Sequence, residues 1–272
     1  MAAQPHGADP LNASEAVIQW YPGHMARAMR RLSEDVRRVD LVIETVDARV
    51  PASGGNPALA SIAARKPSLL VLTRADLAQP ALTEAWLERL RREGRTVVAV
   101  AAKTPGGIAQ ARAALETLES ARAARRAIVL GIPNAGKSTV INALVGKRVA
   151  RAEDRAGVTR TAQWFRVTPV LELMDTAGIL VPKIDTPEAQ WKLALVGAVP
   201  RARFDPEDVV TRFTHWAAVA RPRSAVPDLE TFAQSRGFVR HGNVSDTHNA
   251  ALAFMKDFNE GRFGPMTLED PE

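Results

Sequence analysis

The chain has 272 residues, 46% hydrophobic and 24% charged, with no cysteine and a net charge of +6. This supports the buried core of one large or two modest domains, and it excludes disulfides and thiolate-held metals, which fits the cytoplasm. No run reaches the roughly 18 apolar residues that span a bilayer, and the first 18 residues lack the pattern of a secretory or mitochondrial leader, so no membrane partner is expected and residues 1–16 read as a flexible tail.

Four short runs rich in Val, Leu and Ile read as strands buried on both faces: 41–46, 69–72, 97–101 and 128–130. Helical patterns over 57–65, 82–92 and 108–125 separate them. This alternation predicts an α/β fold with a doubly wound, mostly parallel sheet. After Val140 the pattern changes to two extended segments, 162–167 and 170–174, which form an expected hairpin turning at Thr168 and Pro169 and ending at Asp175. Beyond Pro187 no strand is expected. Amphipathic stretches at 188–196, 206–217, 228–236 and 245–260 predict a small all-helical domain over 186–272, following an α/β domain over 1–185.

The charge is uneven, because residues 121–166 hold ten Lys or Arg against only Glu153 and Asp154. An anionic partner, a nucleotide or RNA phosphates, is one reading. A solvated basic face is the other.

GIPNAGKS, Gly131 to Ser138, matches G-x-x-x-x-G-K-S directly after a strand and before a helical run, the context a phosphate-binding loop needs. Glycines let backbone N–H groups face a phosphate, and the helix that follows adds its positive end. Asn134, Ala135, Gly136, Lys137, Ser138 and Thr139 are therefore candidate nucleotide contacts. Lys137 would bridge the β- and γ-phosphates, and the Ser138 hydroxyl would bind Mg²⁺. DTAG, Asp175 to Gly178, ends the hairpin's second strand; Asp175 would hold Mg²⁺ through water, and the Gly178 N–H would sense the γ-phosphate. Between the two lies Thr159, which either completes the Mg²⁺ shell or is an ordinary loop threonine.

No N-K-x-D base-reading segment follows DTAG. A degenerate version, TRAD, lies upstream at Thr73 to Asp76. The Asp76 carboxylate can accept two hydrogen bonds from guanine, a pattern adenine cannot supply, and the Arg74 stem can pack on the purine. Ala102 and Lys103 stand at the next strand end, where a base-backing loop would follow. Base boxes thus precede phosphate boxes, a circular permutation.

In this order the boxes resemble the circularly permuted GTPases of the ribosome biogenesis GTPase A (YlqF/RbgA) family. WYPGHMARAMR at Trp20 to Arg30, DARVPASGGNP at Asp47 to Pro57 and GRFGPMTLEDP at Gly261 to Pro271 extend the resemblance from about Trp20 to the C-terminus. It implies a GTP/GDP-binding switch that hydrolyses GTP slowly, is accelerated on the ribosome, and contacts rRNA of the large ribosomal subunit in late maturation through its C-terminal domain. The residue after DTAG is Ile179 rather than a water-positioning glutamine. The resemblance therefore implies K⁺ held by Asn134, and His24 as a water-orienting residue. Asn134 as a loop cap and His24 as an anchor of the N-terminal helix are the plainer alternatives.

Departures from the family pattern are Thr73 for Asn, Arg74 for Lys, and Ala156 and Ala177 for two prolines. Loss of the asparagine amide predicts a base loop no longer tied to the phosphate loop, with weaker or less selective guanine binding. Two rivals remain: an rRNA-binding module gated by nucleotide without hydrolysis, and a P-loop ATPase or small-molecule kinase. The oligomeric state is open, with a monomer the expectation.

Overall fold

The computed structural model describes residues 22–64, 66–118, 125–147, 163–176, 178, 184, 186–240 and 244–271. Helix α1 (Pro22–Arg37) leads into β1 (Leu41–Asp47), whose seven residues are all buried. Then follow α2 (Pro57–Ala63), β2 (Ser68–Thr73), α3 (Pro80–Arg92), β3 (Val97–Ala99), α4 (Ala109–Thr117), β4 (Arg125–Leu130) and α5 (Lys137–Val145). A hairpin of β5 (Gln163–Thr168) and β6 (Leu171–Asp175) completes the sheet.

Strand order is β3-β2-β1-β4-β6-β5, parallel except for β5. The chain winds outward from β1 to β3, then returns to the other side of β1 for β4 and β6. The winding reverses between β1 and β4, and a doubly wound sheet opens a crevice at such a point, beyond the carboxyl ends of its strands. Register places Glu44 beside Leu130 and Val129 beside Asp175, so the segments after β1, β4 and β6 emerge as neighbours.

Period-2 alternation distributes the apolar residues between two faces. Leu41, Ile43, Val71, Val129 and Leu173 pack on Ala111 and Leu115 of α4 and on Val140 and Leu144 of α5. On the opposite face Val42, Ile128 and Met174 meet α1 and α2, while Leu70 and Leu72 meet Trp86 and Leu87 of α3. The sequence dictates local starts too. Asn56 caps α2 by accepting from the N–H groups of Ala58 (3.0 Å) and Leu59 (3.4 Å), and Pro57 takes the first helical position, where no N–H is needed.

The helix expected over 108–125 stops at Thr117. Arg125 belongs instead to β4, its N–H bonded to the Val170 carbonyl at 2.7 Å, so pairing with the hairpin overrides an alanine-rich helical pattern.

The C-terminal region holds α6 (Pro187–Leu195), α7 (Pro206–Ala220), α8 (Leu229–Ser235) and α9 (Thr247–Asn259). These close on Phe213, Phe232, Phe254 and Phe258, with Phe213 and Phe258 edge-on at 5.1 Å between centroids. A short ribbon, β7 (Val239–Arg240) with β8 (Val244–Ser245), lies between α8 and α9, where the sequence pattern predicts no strand. Two residues per strand are too few for an alternating pattern to register.

The helical core also takes in Val50, Ile132 and Ala135 from loops of the α/β part. The chain end returns across the same loops. Met266 N–H donates to the Leu77 carbonyl (2.9 Å), Leu268 N–H to the Arg49 carbonyl (2.8 Å) and Trp86 Nε1 to the Glu269 carbonyl (3.0 Å). The Glu269 carboxylate accepts from the N–H groups of Ala52 and Ser53 and from the Ser53 hydroxyl. Among the described residues no helix is long and apolar enough to cross a membrane.

Candidate functional site

Residues 131–136 turn tightly after β4, with Asn134 at φ 58° and Gly136, which starts α5, at φ 85°. Ser138 and Thr139 lie in the first turn of α5, where unpaired N–H groups and the helix dipole favour an anion. Lys137 folds back over the loop, its Nζ donating to the carbonyls of Ile132 (2.8 Å) and Gly131 (3.3 Å). Burial pushes this ammonium down to about 8, against the opposing pull of the Asp175 carboxylate. The ammonium still carries its charge at neutral pH, and a bound polyphosphate would hold it more firmly.

The end of β6 meets this loop. Asp175 is the register partner of Val129, and the Thr176 hydroxyl donates to the Val129 carbonyl at 2.6 Å. A Cβ on Gly178 would lie 2.7 Å from the Pro133 nitrogen and 2.9 Å from Lys137 Nζ. Only glycine fits there, and its closeness puts residue 178 against the loop and its lysine.

The end of β2 reaches the loop from the other side. The Thr73 hydroxyl donates to the Ala135 carbonyl at 2.9 Å, with Val46 O a longer alternative at 3.3 Å. The expectation that losing the asparagine unties the base loop from the phosphate loop is therefore corrected: the shorter hydroxyl makes the tie, because Gly136 lets the two backbones approach closely. Arg74, at φ 54°, directs its guanidinium to Asp47 (2.6 Å) and is about one-third exposed along its side chain. Asp76 is exposed in a single 3-10 turn, Ala75–Leu77. The Ala75 N–H donates to the Val100 carbonyl (3.1 Å), joining this loop to the one after β3, where Ala102 is half-buried and Lys103 exposed.

Sequence reasoning missed the centre of this side. Burial alone would raise the Asp47 carboxyl, but the charges of Arg49 and Arg74, and hydrogen bonds from Arg49, hold it well below the usual carboxylate range. Arg49 is 1% exposed and donates to Asp47 through Nε (3.0 Å) and Nη2 (2.8 Å). The available signal was an acid ending a mostly apolar strand with an arginine two residues on, since charges buried in such a place need each other. Also missed was the contact of Asn134 with the helical region, where its Nδ2 donates to the Gly197 carbonyl, after α6, at 2.7 Å.

The structure thus brings together Thr73, Ala135, Gly136, Lys137 and Gly178, with Asn134 reaching outward to the helical region. His24 falls in the first turn of α1, its side chain outside what is described. Thr159 lies outside the described residues.

Comparison with known proteins matches this geometry to one group. Residues 126–210 match a family described as 50S ribosome-binding GTPase. The chain is 35% identical over 280 residues to ribosome biogenesis GTPase A of Bacillus cereus, covering 94% of this chain and 95% of that protein. It is 32% identical over 257 residues to the Thermotoga maritima protein of the same name, covering 94% and 95%. The solved structure of GNP-bound YlqF from T. maritima superposes with a TM-score of 0.72 at 27% identity, over 90% of this chain and 99% of that one. With loops, sheet and near full-length similarity in agreement, the chain belongs to the ribosome biogenesis GTPase A family.

Proposed function

We propose that this protein is a cytoplasmic, Mg²⁺-dependent GTPase that acts as a switch in late assembly of the large ribosomal subunit: it docks on rRNA with GTP bound and is released by hydrolysis. The observation that carries the reading is the seating of Ile132 and Ala135 of the phosphate loop in the core of the helical region. A change at the γ-phosphate can then tilt residues 186–272, which we assign as the output domain.

The chain's own groups divide the work. Lys137 would neutralise the β- and γ-phosphates, the Gly178 N–H would read the γ-phosphate, and Thr73, Arg74, Asp76, Ala102 and Lys103 would hold guanine. Ser138 and Asp175, with Thr159 when GTP is bound, would hold Mg²⁺. They offer hard oxygen donors of the kind that ion prefers. Asn134 suits K⁺, because commitment of its Nδ2 to Gly197 fixes the amide so that the carbonyl Oδ1 would be the atom offered to a cation. Both ions would offset charge developing between the phosphates. His24 would orient water in place of the glutamine that Ile179 replaces.

Phosphate release from GTP and from ATP, in KCl and in NaCl, with and without large ribosomal subunits, tests this. Selective use of GTP stimulated by both K⁺ and subunits is expected. GTP binding without stimulated hydrolysis would favour the gated rRNA-binding module, and equal use of ATP would refute guanine reading by Asp76.

A further inference from the structure

The helical region touches the nucleotide loops at several places, and one side chain stands behind two of the connections. Asn259 ends α9. Its Oδ1 accepts from Arg49 Nη2 at 3.0 Å, while its Nδ2 donates to the carbonyls of Leu195 (2.7 Å) and Met255 (2.8 Å). A cationic donor on one side and two carbonyls on the other decide which end of the amide is which, since the flipped amide would face like groups on both sides.

From Oδ1 the contacts run to the base loop. Arg49 passes from Asn259 to Asp47, and Asp47 holds the Arg74 guanidinium. Arg49 stacks its guanidinium 5.0 Å from the centre of the Phe258 ring, and its buried Nη1 has no hydrogen-bond partner among the described residues. The Asn259 oxygen is therefore one of few acceptors this buried charge possesses, and losing it would leave a second orphaned donor. From Nδ2 the contacts run to the phosphate loop. Leu195 ends α6, and two residues on is Gly197, whose carbonyl receives the Asn134 amide.

We propose that Asn259 is a positioning residue for the nucleotide site: one amide holds the Arg74 anchor through Arg49 and Asp47, and holds through Leu195 the turn that orients Asn134. The base loop and the phosphate loop are thereby coupled to the C-terminal helices, and by reciprocity a partner whose docking on those helices the nucleotide strengthens by some factor strengthens nucleotide binding by the same factor. The inference rests on the assignment of Arg74 to guanine and of Asn134 to K⁺.

The test compares the unaltered chain with Asn259→Asp and Asn259→Ala. Asn259→Asp keeps an acceptor for Arg49 but sets a carboxylate against two carbonyls, so it breaks only the phosphate-loop arm; Asn259→Ala breaks both. Three readouts are taken at a temperature where each variant is folded: GDP affinity from fluorescent-nucleotide anisotropy, the K⁺ concentration for half-maximal GTP turnover, and amide hydrogen exchange of residues 73–78 and 131–136 without nucleotide. Asn259→Asp is expected to keep GDP affinity within about twofold, raise the K⁺ requirement at least about fivefold, and speed exchange only in 131–136. Asn259→Ala is expected to weaken GDP at least about fivefold as well and to speed exchange in both loops. Unchanged affinity, K⁺ requirement and exchange in both variants, whether or not their melting temperatures fall, overturns the proposal. The same exchange pattern in a chain that shows neither guanine preference nor K⁺ stimulation would uphold the coupling and remove only the assignment of what the loops bind.

Discussion

Thr73 ends β2, and its hydroxyl closes the gap to Ala135 because Gly136 presents no Cβ to keep the two segments apart. The carbonyl it serves is buried. Thr73→Val, which keeps the shape and deletes the bond, is expected to cost about 1–3 kcal/mol, the penalty of leaving a buried acceptor unsatisfied. Chemical denaturation reads this directly, and an unchanged midpoint would mean that Ala135 finds another donor. Gly178 makes a sharper demand, because any side chain there runs into Pro133 and Lys137. Gly178→Ala should lower GTP turnover by at least roughly tenfold, about 1.4 kcal/mol of barrier, with much less effect on GDP affinity. Turnover equal to the parent's would remove residue 178 from the γ-phosphate site.

Asp47 gives the pH dependence. Its folded-state carboxyl titrates below the usual range, so the unfolded chain binds the proton more readily. Its contribution to stability is present in full above about pH 4 and is lost as the pH falls below that, toward a limiting slope of about 1.4 kcal/mol per pH unit. Urea titrations at pH 6, 4.5 and 3.5 should show little change between the first two and a clear loss at the third. Asp47→Asn should flatten that last step.

At the scale of elements, the C-terminal strap 266–270 is held by the buried carboxylate of Glu269 over the N–H groups of residues 52 and 53, and by Trp86 Nε1. Glu269→Ala removes the acceptor for two backbone donors and should destabilise by about 2–3 kcal/mol. Limited proteolysis should then cut near residues 261–265 before it cuts elsewhere. The sheet was legible in the sequence because parallel strands buried on both faces read as unbroken apolar runs, and the helices between them carry a clear period. The end of α4 was not, since Ala and Arg favour helix locally while the partner strand that claims Arg125 lies 45 residues further on. The β7–β8 ribbon was too short to leave a pattern. The tight turn from Gly131 to Ser138, between β4 and α5, was legible because its glycines and flanking pattern are local. Asp47, Arg49, Asn134 to Gly197, and Asn259 were not, because their meaning lies in partners brought together only by the fold.

For the whole molecule, the boundary placed near residue 186 marks a change of pattern rather than a gap between cores, since Val50, Ile132 and Ala135 complete the helical cluster. A fragment ending at 185 should therefore expose these apolar residues, melt well below the full chain and bind GDP weakly. An independently stable fragment with parental affinity would show that the two parts do not share their energetics.

The measurement that bears most directly on the switch is co-sedimentation of the full chain with large ribosomal subunits, with a non-hydrolysable GTP analogue, with GDP and without nucleotide. Retention is expected with the analogue, and release with GDP. Equal retention in all three states would contradict a nucleotide-driven switch, whatever the rate of hydrolysis.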